Sequence, residues 1–146
     1  MNKHFHLAGL LLCFCWAFTS CLDSDDPKSE ATLSYAATCS GITYTDSTDL
    51  AYESLIVKAL EEEGIVGAKS QFEETASVNY NSMNAVYTLC NQQAAKTYQS
   101  KLEAVTLSQI QDRIGTEPSL HEMTVHLALY NSVTLPPIES FSLTLR

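Results

Sequence analysis

The chain has 146 residues, with 17 Asp and Glu against 8 Lys and Arg and a formal net charge of −9. That acidity disfavours nucleic acid and anionic membrane surfaces as direct partners, because both are negatively charged. The length is one domain's worth of chain, enough for a single hydrophobic core.

Residues 1–6 form a short polar head with one cation, Lys3. Leu7 to Phe18 then runs apolar. Twelve residues make a helix of about 18 Å, whereas a bilayer core needs about 20 apolar residues. The run therefore has the length of a signal-peptide core rather than of a membrane span. Bulky Phe18 is followed by small Thr19 and Ser20 and then by Cys21. This segment resembles the lipobox of bacterial lipoproteins, with Phe18 in place of the usual leucine. The resemblance implies that residues 1–20 are removed, that the Cys21 thiol receives a diacylglycerol, and that the freed amine is then acylated. Each buried methylene contributes about 0.8 kcal/mol, so two or three chains anchor a protein stably where one is marginal.

Asp23, Asp25 and Asp26 follow, then Pro27, Lys28, Ser29 and Glu30. Low hydrophobicity and one dominant sign of charge make residues 21–30 an expected disordered tether. An acidic run after a lipidated cysteine is similar to the export tether of some Gram-negative surface lipoproteins. It implies outer-membrane anchoring with surface display; the alternative is a solvated linker facing the periplasm. Without residues 1–20 the chain keeps 7 Lys and Arg against 17 acids, a net charge of 7 − 17 = −10.

Cysteine usage follows from that processing. Cys13 and Cys15 leave with the signal and Cys21 carries lipid, so Cys39 and Cys90 remain as an even pair in an oxidising compartment. A disulfide between them is the expectation, contributing roughly 4 kcal/mol for a loop this long. The alternative is two buried free thiols.

In residues 31–146, Leu33, Tyr35, Ala37 and Cys39 alternate with Thr32, Ser34, Ala36 and Thr38, which predicts a half-buried strand. Gly41 interrupts it, and Ile42 and Tyr44 continue in the opposite phase, as a bulge would produce. Asp46, Ser47 and Thr48 offer N-caps for a helix over about 49–63, with the stripe Tyr52, Leu55, Ile56, Ala59 and Leu60 and a C′ residue at Gly64. Glu61, Glu62 and Glu63 lie in its last turn, against the macrodipole. Residues 65–78 show no dominant period. From Tyr80 a second helix places Tyr80, Met83, Tyr87, Cys90, Ala94, Tyr98 and Val105 on one face. Residues 106–114 either extend it or form a short separate element before Gly115. Met123, Val125, Leu127 and Leu129 alternate with polar neighbours and predict a strand, as do Phe141, Leu143 and Leu145 after Pro136-Pro137. These two strands are expected to pair antiparallel.

Chemical signatures are sparse. His121-Glu122 begins like a zinc-protease motif, but the next histidine, His126, follows at a spacing of five instead of four. Read as strand, that spacing sends the two imidazoles to opposite faces. No nucleophile elbow, phosphate loop or Cys-x-x-Cys occurs. The carboxylate pairs Glu73/Glu74 and Asp46/Asp49 carry no catalytic signature by themselves, and Asp23/Asp25/Asp26 lacks the spacing of an EF-hand. No catalytic residue, metal ligand or cofactor is assigned.

The expected fold is α+β, roughly β-α-α-β-β, with two helices on one face of an antiparallel sheet of about three strands. The expected function is an envelope lipoprotein that displays a non-catalytic binding or assembly domain. Its partners would be the membrane, through covalent lipid, and an envelope protein complex or extracellular ligand. The alternatives are an accessory subunit of a larger outer-membrane complex and a small hydrolase or glycan-acting enzyme.

Overall fold

A computed structural model describes residues 27–146, so the expected signal peptide, Cys21 and the run Asp23–Asp26 lie outside the described residues. Strand β1 covers Ser29–Tyr44 and turns Leu33, Tyr35 and Ala37 inward, as their alternation predicts. It begins inside the expected tether. Ser29 is buried because its Oγ accepts the Ser82 N–H at 3.0 Å, so the folded domain starts two residues earlier than residue 31.

The pairing of β1 shifts register between Cys39 and Gly41, which is the expected bulge. Residues Ser29 to Tyr35 pair with β2, Phe72–Val78, and residues Tyr35 to Tyr44 pair on the other side with β3, Met123–Asn131. Where β2 leaves β1, a 3-10 turn over Ala68–Ser70 takes its place: Ser70 Oγ accepts the Ala37 N–H, and the Gly67 N–H donates to the Ala37 carbonyl, both at 2.9 Å. Strand β4, Glu139–Leu145, pairs with β3 from Met123↔Leu145 to Leu129↔Glu139. The sheet is antiparallel throughout, in the order β2-β1-β3-β4.

The expected helix over 49–63 is divided. Asp46 caps a 3-10 turn, Ser47–Tyr52, by accepting the Thr48 N–H at 2.9 Å, and helix α1 then runs Glu53–Glu62. Its end is a Schellman motif, with Gly64 N–H to Glu61 O at 3.0 Å and Ile65 N–H to Leu60 O at 2.9 Å. Gly64 has φ 72°, and a Cβ there would lie 3.0 Å from the Lys69 carbonyl. Ile56, Ala59 and Leu60 are buried, but Leu55, placed on the same stripe by sequence, is exposed.

Helix α2 spans Met83–Glu103, capped by Ser82, whose Oγ accepts the Ala85 N–H. Its buried stripe is Val86, Cys90, Ala94, Tyr98 and Leu102. Sequence placed the middle of that stripe correctly and its ends wrongly. Tyr80 and Met83 are exposed, Val86 is buried in place of Tyr87, and Leu102 replaces Val105 because the helix stops at Glu103. Helix α3, Leu107–Ile114, is a separate element started by a capping box between Thr106 and Gln109.

The α+β class stands, with four strands and three helices among the described residues, in the order β-α-β-α-α-β-β in place of three strands and two helices. The additional strand, β2, hides its period because Glu74 occupies an inward position between Phe72 and Ala76. Its carboxylate is held there by the Thr97 hydroxyl at 2.6 Å. Helix α2 packs on β1 and β2 and reaches β4 at the opposite edge, because the sheet curls around it. Tyr98 joins these parts: its hydroxyl donates to the Ile65 carbonyl at 2.7 Å and its ring meets Phe141 edge-on at 5.1 Å. Among the described residues no buried side-chain polar atom lacks a partner.

Candidate binding groove

Cys39 and Cys90 are free thiols, which corrects the expected disulfide. Each cysteine does lie toward the core from its own element, but α2 crosses β1 at the wrong level for a bond. Cys90 Sγ sits 3.6 Å from the Ala31 carbonyl and 3.7 Å from that of Glu74. Ala31 precedes Cys39 by eight residues, about 26 Å of strand. A disulfide requires Cα atoms within roughly 4.4–6.8 Å. Burial pushes both thiols up, so they stay protonated and weakly nucleophilic.

The two histidines occupy separate places. His121 precedes β3 instead of lying in the strand, while His126 faces outward with Nε2 2.8 Å from Thr43 Oγ1. His121 meets both members of the pair Asp46/Asp49. Its N–H donates to Asp49 Oδ2 at 2.8 Å, its Nδ1 lies 3.2 Å from Asp49 Oδ1, and its Nε2 lies 3.7 Å from Asp46 Oδ2. Asp49 is buried and His121 half exposed. The Thr48 N–H, the Thr48 hydroxyl and, least, His121 hold the Asp46 carboxyl below its usual range. These contacts tie the turn after β1 to the lead-in of β3. Among the described residues no three His, Cys, Asp or Glu side chains gather to hold a metal.

Four of the other acids, Glu62, Glu63, Glu73 and Glu74, are also engaged. Arg113 of α3 reaches Glu63 at 2.7 Å and Glu62 at 4.0 Å, so the end of α1 finds its cation within the chain. Those carboxylates hold the guanidinium pKa up, Glu63 more than Glu62. Glu73 accepts from Ser34 and Glu74 from Thr97.

A concavity lies elsewhere, between α2 and the edge strand β4. It is an open groove of about 860 Å³, walled by Gln92, Ala95, Lys96 and Gln99 of α2 and by Glu139 and Phe141 of β4. The helix presents these residues because its opposite face, from Val86 to Leu102, is held against the sheet. Phe141 supplies an apolar floor, pinned by the Tyr98 ring. Neither Lys96 nor Glu139 forms an ion pair with a described residue. Sequence reasoning missed this groove. Its only local trace is the polar run Asn91-Gln92-Gln93 beside the apolar stripe.

The arrangement offers hydrogen-bonding amides, one charge of each sign and, among the described residues, an unpaired strand edge. No protein family, curated protein or solved structure matches the chain.

Proposed function

We propose that the protein is an envelope lipoprotein, anchored through Cys21 to the outer membrane and surface-displayed, whose folded domain is a non-catalytic binding or assembly module. The observation that carries the anchoring is the segment Phe18-Thr19-Ser20-Cys21 after a short apolar run, followed at once by three aspartates. Supporting the binding role, an open groove with amide and apolar walls lies between α2 and β4, while the histidine–carboxylate cluster makes contacts within itself. The partner is an envelope protein complex or an extracellular ligand, and the charge disfavours nucleic acid.

Metabolic labelling with a fatty-acid analogue tests the anchor. The wild-type protein takes up label and partitions with membranes, and Cys21→Ala loses both. Label that survives Cys21→Ala refutes the proposal. Replacing Asp23, Asp25 and Asp26 with Ala leaves labelling intact and lowers accessibility to protease added to whole cells. Unchanged exposure refutes the role of the tether.

A further inference from the structure

We infer that the free edge of β4 accepts an extended segment of a partner protein as a fifth strand, whose alternate side chains fill the groove against α2. This inference rests on the binding-module reading and names the chemistry of its ligand.

Three observations converge on it. First, β4 is the last strand of the sheet, so one side of its seven residues carries backbone N–H and C=O groups with no strand of the described residues beside them. Such an edge is a template for strand addition. Second, Ser140 to Leu145 contains no proline, no charge and no bulge against β3, and so lacks the devices that normally block an edge. Third, the groove adjoins that edge on the concave side of the sheet, where the next strand of the curl would run. A strand about 4.8 Å beyond β4 would point every second side chain toward Ala95, Gln92 and Gln99. Its other side chains would continue the outward row of Ser140, Ser142 and Thr144.

The same features favour a partner segment over a second copy of this chain. The edge of β4 measures about 23 Å by 10 Å, roughly 230 Å², against about 800 Å² per partner in a standard stable interface. Two copies also repel through a formal charge of −9 each. An extended segment adds the groove wall to the strand edge and meets no such repulsion. It would alternate apolar or amide residues with polar ones, and carry an acid for Lys96 and a base for Glu139.

The test uses the full chain and a capped seven-residue peptide of alternating valine and threonine that carries one lysine and one glutamate. The peptide is expected to slow amide exchange along β4 and to leave β2 unchanged. Methylating every second peptide nitrogen, along one edge, removes the ladder donors and weakens binding at least about tenfold. Ala95→Arg fills the groove from the helix surface and weakens it by a similar factor. Ser77→Arg, on the exposed face of β2, does not change it. Protection confined to β2, no protection at all, or equal binding of the methylated peptide overturns the proposal. So does a concentration-dependent dimer that protects β4 without peptide, which assigns the edge to a second copy. Loss of peptide binding with fatty-acid labelling intact defeats strand addition alone; loss of labelling with peptide binding intact defeats the anchor alone.

Discussion

The two edges of the sheet are built on the same core and finished differently. At one edge, β2 carries Glu73 outward, bonded to Ser34, and Glu74 inward, bonded to Thr97. At the other, β4 carries its one charge, Glu139, at its first residue and then alternates Ser and Thr with Phe141, Leu143 and Leu145. An aromatic pair braces each side: Tyr35 stacks on Phe72 of β2 at 5.5 Å, and Tyr98 meets Phe141 of β4 at 5.1 Å. Burial is therefore not what separates them. The inward carboxylate in the middle of β2 makes pairing with another strand costly, whereas the one carboxylate of β4, Glu139, stands at its first residue and leaves Ser140 to Leu145 uncharged.

The largest effect expected on this comparison is Leu145→Ala. Leu145 is fully buried at the end of β4, and the cavity left behind should lower the unfolding free energy by about 2–5 kcal/mol, measured with denaturant. Val78→Ala, at the end of β2 and slightly less buried, removes fewer methylenes and should cost less. Equal losses would show that the two edges do not differ in how they hold the core.

The tyrosines sharpen the contrast. Tyr98→Phe strands the buried Ile65 carbonyl and should cost about 1–3 kcal/mol. Tyr35→Phe should cost about 0.5–1.5 kcal/mol, because Asn91 Oδ1 keeps the Asn131 amide at 3.1 Å. Burial, first among the causes, raises the pKa of both phenols. The neutral form is thus favoured in the folded state, so this stability is present below the unfolded phenol pKa of 10.0 and is lost as pH rises above it. Phenolate absorbance from these two rings should appear only with unfolding. Ionisation of either while the fold persists would contradict their burial.

Glu74→Val should change association more than stability. It removes the inward charge from β2, so the alternating valine–threonine peptide should then slow amide exchange along β2 as well as β4, with stability altered by less than about 1.5 kcal/mol. If β2 stays unprotected in the variant, the carboxylate is not what guards that edge.

The smallest effect lies between the edges, in the Asp46–Asp49–His121 cluster that joins β1 to β3. Asp46 has its pKa lowered by the Thr48 N–H, then the Thr48 hydroxyl, then His121. Its contribution is present above the unfolded carboxyl pKa and is lost as pH falls through the lower folded value. Asp46→Asn keeps a cap at this position and should flatten the acid side of the stability profile slightly. A steeper acid side would reverse the assignment.

Periodicity alone determined β1, β3 and β4, down to the bulge at Gly41, because a strand with one buried face must alternate. It also determined the existence of α1 and the middle of α2, where apolar spacing of three and four leaves one face to bury. Other features depend on residues distant in sequence. Glu74 is tolerated inside β2 because Thr97 reaches it from α2, and the resulting break in period hid the strand. Cys39 and Cys90 sit inward on their own elements, yet the level at which α2 crosses β1 sets Cys90 against Ala31. The groove exists only because the curl of the sheet brings β4 to the polar flank of α2. A chain's local pattern specifies which face of an element is apolar; how far one element slides along another is decided by packing across the whole core, which no short window of sequence contains.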